Sequence, residues 1–89
     1  MKAKIRALLE QLGDFSARPD PLQDGTDLHE AGLSSYGTVE LMVALETEFG
    51  VEFPDRLLTR ATFSSINSVA DAVASLLSED ALAGAGGAR

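Results

Sequence analysis

The sequence predicts an all-α fold: a four-helix bundle of three long helices and one short one, with a long loop between the first two. Three observations carry that prediction. Apolar residues return every three or four positions in three separate stretches. No stretch alternates apolar with polar residues as a half-buried strand does. Gly and Pro punctuate the intervals between the periodic stretches.

The first helix is expected from about residue 2 to 12. Ile5, Leu8, Leu9 and Leu12 fall at i, i+3, i+4 and i+7, one helical stripe, and Lys2, Lys4, Arg6, Glu10 and Gln11 fill the other side. Gly13 follows the last apolar position and suits a C-cap. From Asp14 to Ser34 no period persists. Pro19, Pro21 and Gly25 break the chain there, and Asp20, Asp24 and Asp27 favour turns. So long a loop needs its own anchors, and Phe15, Leu22, Leu28 and Leu33 can supply them. Thr26 to Glu30 is long enough for one helical turn.

The second helix is expected over about 36 to 49, with Thr38, Leu41, Met42, Leu45 and Phe49 facing the core. Tyr36, Val39, Glu40, Val43 and Glu46 occupy the opposite side. That mixture of apolar groups and acids suits a docking surface; for Val39 alone, a wide core stripe is an equal alternative. Gly50 closes the helix, and Pro54 keeps the next element from starting early. Residues 55 to 60 read as the short third helix, with Asp55 near its start. Ser64 and Ser65 then precede a fourth helix over about 65 to 78. Its stripe is Ile66, Val69, Ala70, Val73 and Leu77, with Ala72 and Leu76 beside it. Residues 1–78 therefore read as one bundle and 79–89, rich in Ala and Gly, as a flexible tail.

Composition narrows function. A chain of 89 residues buries only about 60–65% of its unfolded surface and has little room for an enclosed active site. Without cysteine there is no disulfide, thiolate metal site or Cys nucleophile. No apolar run reaches the roughly 20 residues of a membrane span. The basic start, Met1 to Arg6, leads into an amphipathic pattern rather than a signal-peptide core, so the expected location is cytoplasmic. The net charge of −7, with no basic stripe, speaks against nucleic acid and for basic protein partners. The charge is also unevenly spread. Lys2, Lys4 and Arg6 sit at the start, whereas Glu40, Glu46, Glu48, Glu52 and Asp55 crowd the middle with no base among them.

Catalytic patterns fail one by one. Gly32-Leu33-Ser34 begins a nucleophile elbow, but Tyr36 stands where its last glycine belongs. An EF-hand loop from Asp20 would have Asp24 and Gly25 in place, yet Leu22 and Ala31 occupy ligand positions. His29, the only histidine, has no acid–base pattern around it and reads as a surface or half-buried loop residue. Ser34 and Ser35 stand at the join between loop and second helix. A serine there can cap the helix. It can also carry a phosphodiester, which the helix start would stabilise.

The run Gly32-Leu33-Ser34-Ser35-Tyr36-Gly37-Thr38-Val39-Glu40-Leu41 resembles the acyl carrier protein family, as does Ala44-Leu45-Glu46-Thr47-Glu48-Phe49-Gly50-Val51-Glu52-Phe53-Pro54-Asp55. The resemblance spans about Lys4 to Leu77. It implies a 4′-phosphopantetheine arm joined covalently to Ser35, with Ser34 in place of the family's Asp. Three departures, at Ser34, Tyr36 and Gly37, reshape the first helical turn, and Arg56 and Arg60 add positive charge to the third helix. They point away from fatty-acid synthesis and toward stand-alone carriers, one group of which is loaded with an amino acid.

What the resemblance implies is a non-enzymatic, monomeric shuttle that holds an aminoacyl or short acyl group as a thioester. Its expected partners are a phosphopantetheinyl transferase, an ATP-dependent loading ligase of the amino acid:carrier protein type, and a downstream acceptor enzyme, with neither nucleic acid nor membrane nor metal. Tyr36, Val39, Glu40, Val43, Glu46 and Arg56 are the expected partner contacts. A fatty-acid-type carrier is the alternative within the family. A small acidic interaction module, whose Ser35 only caps a helix, is the alternative outside it.

Overall fold

The computed structural model describes residues 1–15 and 22–86. Among these the fold is helical without a strand: α1 (Lys2–Glu10), α2 (Leu28–Ala31), α3 (Ser35–Phe49) and α4 (Ile66–Gly86), with 3-10 turns at Gly13–Phe15 and Asp55–Leu57. The expected turns at Pro19, Asp20 and Pro21 lie outside the described residues, as does the end of the expected tail, 87–89.

The bundle is as expected in class, but its short α-helix comes earlier in the chain. Residues 55 to 60 make one 3-10 turn, closed at Leu58. The four-residue helix is instead α2, inside the loop. Asp27 caps it, its carboxylate accepting the N–H groups of His29 (3.0 Å) and Glu30 (3.1 Å). Gly32 ends it at φ 125°, a backbone angle open to glycine.

α1 packs on both α3 and α4, and α3 on α4. Ile5, Leu9, Leu28, Leu41, Leu45, Ile66, Val69 and Val73 are completely buried, each contributing about 1.5–3 kcal/mol of transfer free energy. The loop anchors Phe15, Leu22, Leu28 and Leu33 are all buried in this one core. The Arg6 guanidinium fastens the loop further, donating from Nε to the Leu22 carbonyl (3.1 Å) and pairing with Asp24. Backbone bonds from Leu28 N–H to the Ser64 carbonyl (2.8 Å) and from Asn67 N–H to the Asp24 carbonyl (3.0 Å) tie it to the start of α4.

Two helix ends and one buried face differ from expectation. α1 stops at Glu10 with Gln11 as its cap, not Gly13, because the tighter turn over Gly13–Phe15 carries Phe15 into the core. Leu76 is buried and Leu77 is turned outward, since Leu76 lies seven residues, two full turns, beyond the completely buried Val69 and Leu77 a further step round the helix. α4 runs to Gly86 rather than ending near 78, so residues 79–86 of the expected tail are helical. Alanine is the strongest helix former, and extending an existing helix fixes one residue per hydrogen bond gained. The start of α4 is as the serines suggested: Ser65 Oγ accepts the Ser68 N–H at 3.1 Å. Gly50 closes α3 in the left-handed region, φ 66° and ψ 38°.

Candidate functional site

The site begins with which serine caps α3. Ser34 is the cap: its extended backbone (φ −84°, ψ 168°) turns its Oγ back to accept the Gly37 N–H at 2.9 Å. Its carbonyl accepts both the N–H and the hydroxyl of Thr38, each at 2.9 Å. Ser35 is the first helical residue, exposed, and its hydroxyl has no hydrogen-bond partner among the described residues. The capping role that the sequence left open for Ser35 belongs to its neighbour. Ser35 is therefore presented rather than used.

Its surroundings suit a negative charge. The opening N–H groups of a helix have no partner within it, and those of Ser35 and Tyr36 find no other partner among the described residues. The first turn of α3 contains no acid, in a chain with a net charge of −7. The helix dipole is thus unopposed at Ser35.

Beside Ser35 lies an open cleft of about 290 Å³, lined by His29, Leu33, Ser35, Thr38, Leu58, Thr59 and Arg60. The half-buried His29 donates from Nε2 to the Arg60 carbonyl at 3.0 Å. Sequence reasoning took Thr38 for a core residue, His29 for a bystander and Arg60 for a change in surface charge. Their meeting at Ser35 leaves no trace in periodicity, because it depends on how a loop residue and one 31 positions later are folded together.

The expected partner contacts separate into two groups. Tyr36 (72% exposed), Val39 (55%), Val43 (51%) and Glu40 form a continuous outward face on α3, so the wide-core alternative for Val39 is excluded. Glu46 and Arg56 are engaged within the molecule. The Glu46 carboxylate accepts the Phe53 N–H at 2.7 Å, and Arg56 pairs with Glu79 at 2.6 Å. The extra charge of Arg56 is thereby matched by α4. No group of three or more potential metal ligands occurs among the described residues.

A family model described as the phosphopantetheine attachment site matches residues 4–73. The chain is 43% identical over 77 residues to an aminoacyl carrier protein from Agrobacterium fabrum (strain C58), covering 86% of this chain and 93% of that one. Among solved structures it is similar to the carrier protein from Agrobacterium tumefaciens in a crystal with an engineered Bradyrhizobium japonicum glycine:[carrier protein] ligase and ATP. That match has a TM-score of 0.71 at 43% identity, and covers 81% of this chain and 94% of the other. A second crystal holds the Bradyrhizobium japonicum ligase with its cognate carrier protein and an analogue of glycyl adenylate. Here the TM-score is 0.65 at 26% identity, over 83% and 91% of the two chains.

Proposed function

The chain belongs to the phosphopantetheine attachment site family, and we propose that its Ser35 hydroxyl bears the 4′-phosphopantetheine arm and its cargo is an amino acid. The observation that carries the first part is the division of labour between the serines: Ser34 caps α3, and Ser35 is left exposed at the helix start with no hydrogen-bond partner for its hydroxyl among the described residues. The group fits there. A phosphodiester on Ser35 Oγ would sit where backbone N–H groups and the helix dipole favour negative charge, with no acid of the first turn to repel it.

Attachment forms a bond from Ser35 Oγ to phosphorus, breaks the pyrophosphate bond of coenzyme A, and releases adenosine 3′,5′-bisphosphate and the hydroxyl proton. No carboxylate or imidazole of this chain hydrogen-bonds Ser35 among the described residues, so a phosphopantetheinyl transferase must supply the base. The bound arm contributes a terminal thiol that holds the cargo as a thioester. What the chain itself contributes is address: the exposed Tyr36, Val39, Glu40 and Val43 beside the arm form a mixed apolar and acidic face suited to reversible, electrostatically steered docking. In this reading the chain is not an enzyme, and it works as a monomer in the cytoplasm. No described helix is long and apolar enough to cross a membrane.

The amino acid cargo is supported by the 43% identity to an aminoacyl carrier protein and by the likeness to carriers crystallised with glycine:[carrier protein] ligases. The cleft at Ser35 is open to solvent, which suits a short cargo held outside the bundle. The loading partner is accordingly an ATP-dependent amino acid ligase, and a downstream acceptor enzyme receives the aminoacyl group. The test is intact mass in two stages. The chain should gain one phosphopantetheinyl group from a transferase and coenzyme A, then one aminoacyl group from an amino acid ligase and ATP. A chain that gains nothing at the first stage is not a carrier.

A further inference from the structure

The cleft beside Ser35 has two walls drawn from distant parts of the chain. His29, Leu33, Ser35 and Thr38 come from α2 and the start of α3, while Leu58, Thr59 and Arg60 follow the second 3-10 turn. Among the described residues a single hydrogen bond spans them, from His29 Nε2 to the Arg60 carbonyl at 3.0 Å. A carbonyl oxygen only accepts, so Nε2 carries the hydrogen whether the ring is neutral or charged.

Among the described residues no other hydrogen bond ties residues 58–60 themselves to the body of the molecule; the next such bond, from Leu28 N–H to the Ser64 carbonyl, holds the chain beyond them. The other hydrogen bonds of residues 58–61 are local: Leu58 N–H to the Asp55 carbonyl, Thr59 Oγ1 with Thr62, and Ser64 N–H and hydroxyl to the Ala61 carbonyl. Residues 58–61 are all exposed. Burial resumes only at Phe63, whose ring centroid lies 5.7 Å from that of Phe53, and partly at Leu57 on the other side. An exposed stretch with no core contact and no distant tether would sample many conformations, and a partner closing over Ser35 would have to order it at a cost in affinity.

We infer that His29 is a positioning residue for the reaction at Ser35: its ring clasps residues 58–60 across the cleft and presents them preset to the enzyme that modifies the hydroxyl. The inference rests on the assignment of the arm to Ser35. Because His29 bonds Arg60 and not Ser35, the clasp belongs to docking rather than chemistry. Its loss should therefore appear in KM and leave kcat alone.

The test uses the full chain, a phosphopantetheinyl transferase and coenzyme A. H29A is expected to raise the KM for the carrier about fivefold, the effect of one ordinary hydrogen bond, with kcat unchanged. The backbone amide resonance of Ala61, which shares its peptide group with the accepting carbonyl, should shift in the same variant. H29Q, whose side-chain amide can donate from the same place, should restore both. If H29A does not fold, H29F keeps the ring's bulk without the donor and should show the same rise. An unchanged KM in H29A with Ser35 still modified would overturn the clasp alone, as would an unmoved Ala61 resonance or an equal KM rise in H29Q. A wild-type chain that gains no mass would overturn the Ser35 assignment and the clasp with it.

Discussion

The carboxylate of Glu46 accepts the backbone N–H of Phe53 at 2.7 Å, so an acid on the outward side of α3 works inside the fold. It satisfies the chain where it leaves α3, between the buried Val51 and the buried ring of Phe53. Glu40, two turns earlier, is exposed and has no such duty.

This contrast separates the two acids experimentally. Glu46→Ala should destabilise the protein by about 1.5 kcal/mol, the low end for a bond to a charged group because the side chain is only half-buried. For a domain this small that lowers the melting temperature by about 6–12 °C. Glu40→Lys should leave the melting temperature unchanged and slow loading by the ligase, the more so at low salt. Thermal melts beside loading rates decide it, and equal melting temperatures for the two variants would contradict the assignment.

The serine pair allows a similar crossing of outcomes. Ser34→Ala removes the bond to the Gly37 N–H and should cost about 1 kcal/mol, while the chain still gains the arm. Ser35→Ala removes no hydrogen bond found among the described residues. It should keep wild-type stability and gain no mass from the transferase. The reverse pattern would move the attachment point to Ser34.

Opposite faces of α3 should respond oppositely. Leu45 is completely buried, and Leu45→Ala should cost about 2–5 kcal/mol through lost burial and the cavity left behind. Val43 is 51% exposed, so Val43→Asp should fold normally and dock poorly. Denaturant midpoints measured beside loading rates distinguish these effects. A Val43→Asp chain as unstable as Leu45→Ala would place Val43 in the core.

Cargo can be settled by competition between loaders. The arm-bearing chain should accept an amino acid from an ATP-dependent ligase and resist a malonyl transferase of fatty-acid synthesis. Mass spectrometry after each incubation gives the answer. Efficient malonyl loading without aminoacylation would replace the amino acid by an acyl group and leave the Ser35 assignment intact.

Local pattern determined much of this protein. Apolar spacing placed α1, α3 and α4 and chose their buried faces, because a helix lines up residues three and four apart whatever it packs against. Leu41 and Leu45 were legible as core, and Tyr36, Val39 and Val43 as surface, for the same reason. The resemblance around Ser35 marked the candidate arm site. Tertiary structure decided what each polar group does once the helices meet. Ser34 and Ser35 are chemically identical in sequence, and only the turn into α3 makes one a cap and frees the other. Glu46 joins Phe53 seven residues on, Arg56 joins Glu79, and His29 joins Arg60 because the folded chain brings them together. A hydrogen bond needs its partners within about 3 Å of one another. Helical periodicity fixes such proximity only within a helix, and between elements it arises only when burial of the shared apolar core sets the loops that carry these groups.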